Sequence, residues 1–174
     1  MNKLTTMHDF THVETIYISE IRTIRVKLKR NYIASDEMAL QTIGRPQDVY
    51  QILKAIFATL DEDREHLILL ILDLGQNIRG YKVITSGGQN YAIIDLKVIF
   101  RNALLLGASA IILAHNHPSG KRSFSDPDLD VTEKVVQAGQ LFDIEVLDHI
   151  IYTPDDGYTS LKEVAPFVFK GDAT

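Results

Sequence analysis

The sequence predicts an α/β domain, because short apolar segments typical of buried strands alternate with segments of helical periodicity. The longest apolar run, Leu67 to Leu72, indicates a central strand that is covered on both faces. A second run, from Ser109 to Ala114, predicts another central strand. Before, between and after these runs, apolar residues recur at three- and four-residue steps, as expected of helices with one buried face.

The first half of the domain begins with a connector of undefined structure at 35–44. Pro46 suits the first position of a helix whose apolar residues, from Val49 to Leu60, form one face. After the first central strand, residues 78–86 predict a paired strand, and Gly87-Gly88 predicts a hairpin turn.

The second half opens with Asp95, a good N-cap for a helix that Gly107 ends. A longer helix is predicted from Asp126 to Gln140, and a final strand from Ile144 to Tyr152. Ser160 can cap a short helix after that strand.

An arm is predicted ahead of the domain, and the division is 1–33 for the arm and 34–174 for the domain. Residues 1–14 are expected to be a loose terminus, followed by a strand from Thr15 to Tyr32. Five of the nine residues from Arg22 to Arg30 are basic. The favoured interpretation is the solvated face of an edge strand. Contact with nucleic acid or an acidic partner, and pairing with another protomer into a homo-oligomer, remain alternatives.

Composition limits the possible function. The chain has 174 residues, enough for one domain with a real core, and a formal net charge of -5, which gives no general reason to expect nucleic-acid binding. It contains no cysteine, which excludes disulfides, thiolate zinc clusters and cysteine nucleophiles. The N-terminus has no apolar signal segment, and no run is long enough to span a bilayer. A soluble cytoplasmic protein with no membrane partner is expected.

Two histidines at the end of the second central strand suggest a metal site. His115 and His117 are two residues apart, so both imidazoles project from one face if the strand continues. A turn follows, and Ser125 opens a helix with Asp128 in its first turn. Two imidazoles and a carboxylate form a common zinc ligand set that leaves a position for water.

Each part of this pattern has a simpler interpretation. A His-x-His pair can be two surface residues. Ser125 and Asp128 fit a capping box, with aspartate in place of glutamate. The two interpretations compete for Asp128, because a carboxylate bonded to the serine backbone has less freedom to bind a metal.

The same residues carry a family resemblance. The spacing His115-x-His117-Pro118, followed after six residues by Ser125-x-x-Asp128, resembles the signature of JAB/MPN metalloproteases of the JAMM type. The string His-Asn-His-Pro-Ser-Gly and the downstream segment Leu147 to Ile151 are similar to the RadC branch of that family. The resemblance covers about 46–163. It implies a single domain of cytidine-deaminase-like fold, with a mixed central sheet flanked by helices.

The resemblance also implies functional residues. It places Zn²⁺ ligands at His115, His117 and Asp128, the catalytic glutamate at Glu65, and a serine that holds water and the developing oxyanion at Ser125. Zinc lowers the pKa of its water toward about 7, and a nearby carboxylate can take a proton from that water and hand it to the leaving amine. The implied activity is hydrolysis of peptide or isopeptide bonds in a peptide or protein substrate.

One alternative function and one further histidine remain open. The alternative is a non-catalytic metal-binding module associated by family name with DNA repair. The helix-hairpin-helix extension common in the family is not expected here, so nucleic-acid binding should be weak if it occurs. His149, beside Asp148, can support a metal ligand from behind. A hydrogen-bonded core histidine is the favoured interpretation.

Overall fold

Seven strands form one sheet in the order β2-β1-β4-β3-β5-β6-β7 in this computed structural model. The structure describes residues 6–18, 21–32, 43–86, 95–154 and 157–170, with backbone only for 6–18, 21–32 and 85–86. The strands are β1 Thr6–Ile18, β2 Ile21–Tyr32, β3 His66–Leu72, β4 Ile78–Ser86, β5 Ala110–Asn116, β6 Glu145–Thr153 and β7 Gly157–Ser160. The helices are α1 Pro46–Phe57, α2 Leu96–Leu105, α3 Asp126–Leu141 and α4 Leu161–Val164, followed by a 3₁₀ turn at Pro166–Phe169.

The sheet is mixed. β3 is antiparallel to both β4 and β5, whereas β5 and β6 run parallel. A parallel neighbour requires a crossover, and α3 makes the crossover between β5 and β6. The α/β class, the mixed central sheet and the flanking helices predicted from the sequence are therefore confirmed.

The core lies on both faces of β3 and β5, whose residues are buried throughout. Alternate residues point to opposite faces, so Ile68 and Leu70 pack with the apolar face of α1. Leu69 and Leu113 pack on the other side with α2 and α3. The continuous apolar runs in the sequence follow from this double burial.

The predicted helix ends are confirmed where the sequence provides a cap. The Asp95 side chain accepts a hydrogen bond from the Lys97 backbone N–H at 2.9 Å. After α2, Gly107 adopts a φ of 59°. The Gly107 N–H donates to Leu104 O, and the Ala108 N–H donates to Ala103 O. This pair of bonds is a Schellman motif, and its left-handed residue favours glycine.

The N-terminal arm differs from the prediction in the part that the structure describes. β1 covers most of the predicted loose terminus, and the predicted single strand is divided between β1 and β2, which pair antiparallel with Thr15 opposite Ile24. β1 also pairs with β4 at Asp9 opposite Tyr81. Pairing with β2, which follows directly, and with the distant β4 satisfies the backbone groups of β1, a segment that shows no local apolar pattern. The Gly87-Gly88 turn and most of the 35–44 connector lie outside the described residues.

Within the described ranges, no helix combines the length and hydropathy that crossing a bilayer requires. The cytoplasmic location and the domain boundary near residue 33 stay predictions.

Gly139, in the last turn of α3, offers a test of the packing that holds this helix on the sheet. A Cβ atom there would lie 2.5 Å from the Ile144 carbonyl oxygen, which is backbone and cannot rotate away. We expect Gly139→Ala to lower the free energy of unfolding by about 1 to 2 kcal/mol, because overpacking outweighs the gain of about 1 kcal/mol in helix propensity. Urea denaturation measures the change. Gln137→Ala, on the exposed side of the same helix, is the control and should unfold at the wild-type midpoint or above.

Candidate metal centre

Four side chains from three parts of the fold meet at one end of the sheet. His115 is the second-last residue of β5, His117 directly follows that strand, and Asp128 lies in the first turn of α3. Glu65 immediately precedes β3, and it lies beside the end of β5 because Leu67 is opposite His115. One ligand atom from each of the four residues lies within 4.8 Å of all the others. The structure thus brings together the residues that the sequence singled out, apart from Ser125, which contacts Asp128.

The distances fit a small cation with nitrogen and oxygen ligands. The Nε2 atoms of His115 and His117 are 2.9 Å apart. Asp128 Oδ1 lies 3.5 Å from His115 Nε2, and Asp128 Oδ2 lies 4.0 Å from His117 Nε2. A tetrahedral zinc ion with bonds of about 2.0 to 2.2 Å holds neighbouring ligand atoms about 3.3 Å apart. The two Nε2 atoms and one Asp128 oxygen therefore need only small shifts to surround one ion.

Hydrogen bonds assign the tautomer of His117. Its Nδ1 lies 2.8 Å from the Lys121 carbonyl oxygen. A carbonyl oxygen only accepts, so Nδ1 carries a hydrogen, and in the neutral ring the lone pair is on Nε2, which faces the site.

A buried chain of three groups assigns the tautomer of His115. The Thr132 hydroxyl donates to the Asp128 carbonyl oxygen at 2.6 Å, so it must accept from His149 Nδ1, also at 2.6 Å. His149 Nε2 then bears a lone pair and accepts from His115 Nδ1 at 2.8 Å. The Nε2 lone pair of His115 consequently faces the site.

Burial favours the neutral form of the His115 ring, the form that can bind a metal through a lone pair. Burial lowers the pKa of His115 to about 4, with His117 acting in the same direction and Asp128 opposing it. Burial also holds the pKa of His149 well below its usual value. Two lone pairs that face each other at 2.9 Å repel, and a cation between them would remove that repulsion. The donor set therefore fits a metal ion.

Asp128 can serve both in the capping box and as a metal ligand, because its two carboxylate oxygens face different groups. Oδ2 accepts from the Ser125 backbone N–H at 2.8 Å and from the Ser125 hydroxyl at 2.6 Å, which forms the capping box. Oδ1 faces His115. The predicted capping and ligand geometries coexist, one on each oxygen. The Ser125 hydroxyl would have to exchange this bond before it could donate to an oxyanion.

Glu65 differs from Asp128 in its surroundings. It is only half-buried, and burial is the main cause that raises its pKa. His117 lowers the pKa of Glu65, whereas the nearby Asp128 carboxylate raises it. A raised pKa brings a carboxylate closer to the range in which it can both accept and release a proton near neutrality.

His149, Thr132 and Asn116 support the candidate ligands or the neighbouring chain through hydrogen bonds. His149 is the buried, hydrogen-bonded histidine that was favoured from the sequence, and its bond to His115 also realises the supporting role. Thr132 was not predicted as a site residue, although it lies four residues after Asp128 on the same face of α3. Asn116 was not predicted either, and its position between the two histidines was the available signal.

Comparison with known families identifies the family to which this fold belongs. A profile of the RadC-like JAB domain family matches residues 43–165. The chain belongs to this family. A UPF0758 protein of Desulfitobacterium hafniense is 33% identical over 160 residues, covering 91% of this chain and 69% of its own length. A UPF0758 protein of Methanosarcina acetivorans is 33% identical over 163 residues, with coverages of 94% and 68%. One from Methanococcoides burtonii is 42% identical over 121 residues, with coverages of 70% and 52%.

Thr132→Val tests the buried chain behind His115 in this RadC-like site. Valine keeps the volume but cannot accept a hydrogen bond from His149. The hydrogen bond that fixes the tautomer of His149, and through it that of His115, is therefore lost. We expect zinc affinity to fall about 10- to 100-fold, the usual effect of removing an outer hydrogen bond to a ligand. Competition with a chromogenic chelator measures it. Thr153→Val is the matched control, because Thr153 is 2% exposed and its hydroxyl donates to Gly157 O rather than to a group of the histidine chain. Equal losses in both variants would contradict the proposed link.

Proposed function

We propose that this RadC-like protein is a zinc-dependent hydrolase of peptide or isopeptide bonds. The observation that carries the proposal is the convergence of two imidazole lone pairs and a carboxylate oxygen, with the Glu65 carboxylate inside the same 4.8 Å cluster. Nitrogen and oxygen donors in this number are typical of catalytic zinc sites, which keep one position open. His115, His117 and Asp128 would hold the ion.

A bound zinc ion would supply Lewis acidity, which acidifies water and polarises a carbonyl group. Glu65 would act as the general base and then as the general acid. Its carboxylate takes a proton from the attacking water and delivers that proton to the nitrogen of the leaving amine. Its half-buried setting supports both steps, because the raised pKa favours the protonated form more than an exposed glutamate would.

Ser125 would act at the oxyanion. Its hydroxyl is anchored beside Asp128 at the start of α3, within reach of the ligand cluster. When negative charge develops on the substrate oxygen, the hydroxyl can exchange its bond to Asp128 Oδ2 for one to the oxyanion.

A groove of about 340 Å³ provides a place for the substrate beside the cluster. His117, a member of the cluster, and Asn116 are among its lining residues, as are Phe57 and Tyr152, whose rings stack with centroids 4.5 Å apart. An open groove that leads to a ligand supports an extended peptide or protein segment as the substrate. The alternative of a non-catalytic metal-binding module associated with DNA repair, and a homo-oligomer formed through the arm, stay predictions.

Metal content is the first test. We expect the purified protein to bind one zinc ion per chain, measured by inductively coupled plasma mass spectrometry after dialysis. Asp128→Asn should weaken binding by more than about 100-fold, since loss of a charged ligand exceeds the usual effect of losing an outer hydrogen bond. Asp126→Asn removes an exposed carboxylate from the same helical turn and should bind as the wild type does. Wild-type protein that takes up no zinc after reconstitution would refute the proposal.

The role of Glu65 is tested by Glu65→Gln, which keeps size and removes the base. We expect kcat to fall at least about 100-fold, within the usual contribution of general acid–base catalysis, while zinc stoichiometry stays unchanged. Mass spectrometry of a peptide and isopeptide library digested by each variant measures cleavage. Glu133→Gln, on the exposed face of α3, is the control. Full activity in Glu65→Gln would remove Glu65 from the mechanism.

A further inference from the structure

The side chain of Asn116 joins the end of β5 to the chain on both sides of Glu65. Its Oδ1 accepts from the His66 backbone N–H at 2.7 Å, and its Nδ2 donates to the Arg64 carbonyl oxygen at 2.8 Å. Asn116 is 7% exposed, so water competes little for these bonds. The residue between the two histidines is thus bonded to the two neighbours of the proposed base.

The orientation of this amide is determined by its partners, because the N–H needs an acceptor and the carbonyl needs a donor. In an extended chain, the C=O before a residue and the N–H after it point to the same side. One carboxamide can therefore bind both groups at once, as the backbone of a neighbouring strand would. Aspartate offers no donor, and alanine offers neither group.

Asn116 extends the β3–β5 pairing to the point where Glu65 lies. The backbone register of these strands runs from Leu72 opposite Ala110 to Leu67 opposite His115. Glu65 precedes β3, one residue beyond His66. The hydrogen bonds of the Asn116 side chain to residues 64 and 66 fix the direction of the Glu65 main chain relative to the strand that carries His115.

Neighbouring strand residues point to opposite faces, so Asn116 can act here without entering the metal cluster. His115 faces the α3 side with Asp128, whereas Asn116 faces the side of His66 and the Arg64 backbone. The short segment from His115 to His117 would thereby supply two ligands on one face and the support for the base on the other.

We propose that Asn116 is a positioning residue that holds Glu65 toward the metal cluster. This inference rests on the proposed function for its consequence in catalysis, but the positioning itself does not depend on turnover. The bonds set the main-chain direction from which the Glu65 carboxylate reaches His117 and Asp128.

The test uses two variants and a matched control in the full chain. Asn116→Ala removes both bonds, and Asn116→Thr keeps a similar volume but has a single hydroxyl oxygen in place of the two amide atoms that serve the two partners separately. Asn102→Ala is the control, because Asn102 is also 7% exposed and its amide binds only the Val98 carbonyl of its own helix, at 2.6 Å. Any general cost of removing a buried amide appears in the control.

The first measurement is backbone amide exchange and ¹⁵N relaxation by NMR. In Asn116→Ala we expect the His66 amide to exchange at least about tenfold faster and the order parameter of Glu65 to fall, because the acceptor and the link are lost. Leu69, in the middle of β3, should be unchanged. Asn116→Thr should show a smaller change, and Asn102→Ala none at these residues.

The second measurement is the visible absorption of the Co²⁺-substituted protein, which responds to groups beside the ion, together with kcat and KM. We expect Asn116→Ala to shift the spectrum as Glu65→Gln does, and to lower kcat about tenfold with KM and metal stoichiometry unchanged. If Asn116 acts through Glu65, adding Asn116→Ala to Glu65→Gln should cause no further change in either readout.

The outcomes separate this inference from the proposed function. Unchanged exchange and order at residues 65 and 66 would overturn the positioning role, whatever the activity. Lost order with an unaltered cobalt spectrum and kcat, or full additivity in the double variant, would also overturn it. A wild-type protein that binds cobalt but cleaves nothing would refute the hydrolase function. The NMR data and the cobalt spectra of the single and double variants would still decide the role of Asn116.

Discussion

The arrangement of this site depends on two imidazole lone pairs that face each other. His115 and His117 each direct a hydrogen away from the centre, toward His149 and the Lys121 carbonyl, so their Nε2 atoms approach to 2.9 Å with no hydrogen assigned between them. Such proximity is unfavourable for neutral rings by themselves. Because the rings are buried or nearly so, water screens the repulsion poorly, and a cation held between the two nitrogens would replace the repulsion with attraction.

The fold supplies this geometry through its most rigid parts. β3 and β5 are buried on both faces, so the strand ends that carry His115 and lead into Glu65 have little freedom. The third ligand comes from the first turn of α3, where the helix dipole favours a negative charge and the capping box fixes one carboxylate oxygen. Packing at Gly139, at the other end of α3, keeps this helix close to the sheet.

Signals from neighbouring residues in the sequence made the central strands and the helix caps predictable. The run from Leu67 to Leu72 and the caps at Asp95 and Ser125 depend on neighbouring residues alone, and the structure confirms them. The pairing of β1 with β4 depends on a distant segment and was missed, as was the division of the arm into β1 and β2. The support behind the site was less evident, because Thr132 contacts His149, 17 residues away, and Asn116 contacts His66 and Arg64, 50 and 52 residues away.

Two carboxylates near one histidine pair have environments that suit different tasks. Asp128 is 4% exposed and is bonded through Oδ2 to both the backbone and the hydroxyl of Ser125, so its position is fixed and Oδ1 is directed at His115. Glu65 is half-buried and its pKa is raised by that burial. A fixed carboxylate suits a ligand, whereas one with a raised pKa suits proton transfer. The same difference explains why main-chain support at Arg64 and His66 matters: Glu65 must stay within reach of the cluster while its carboxylate remains free to exchange a proton.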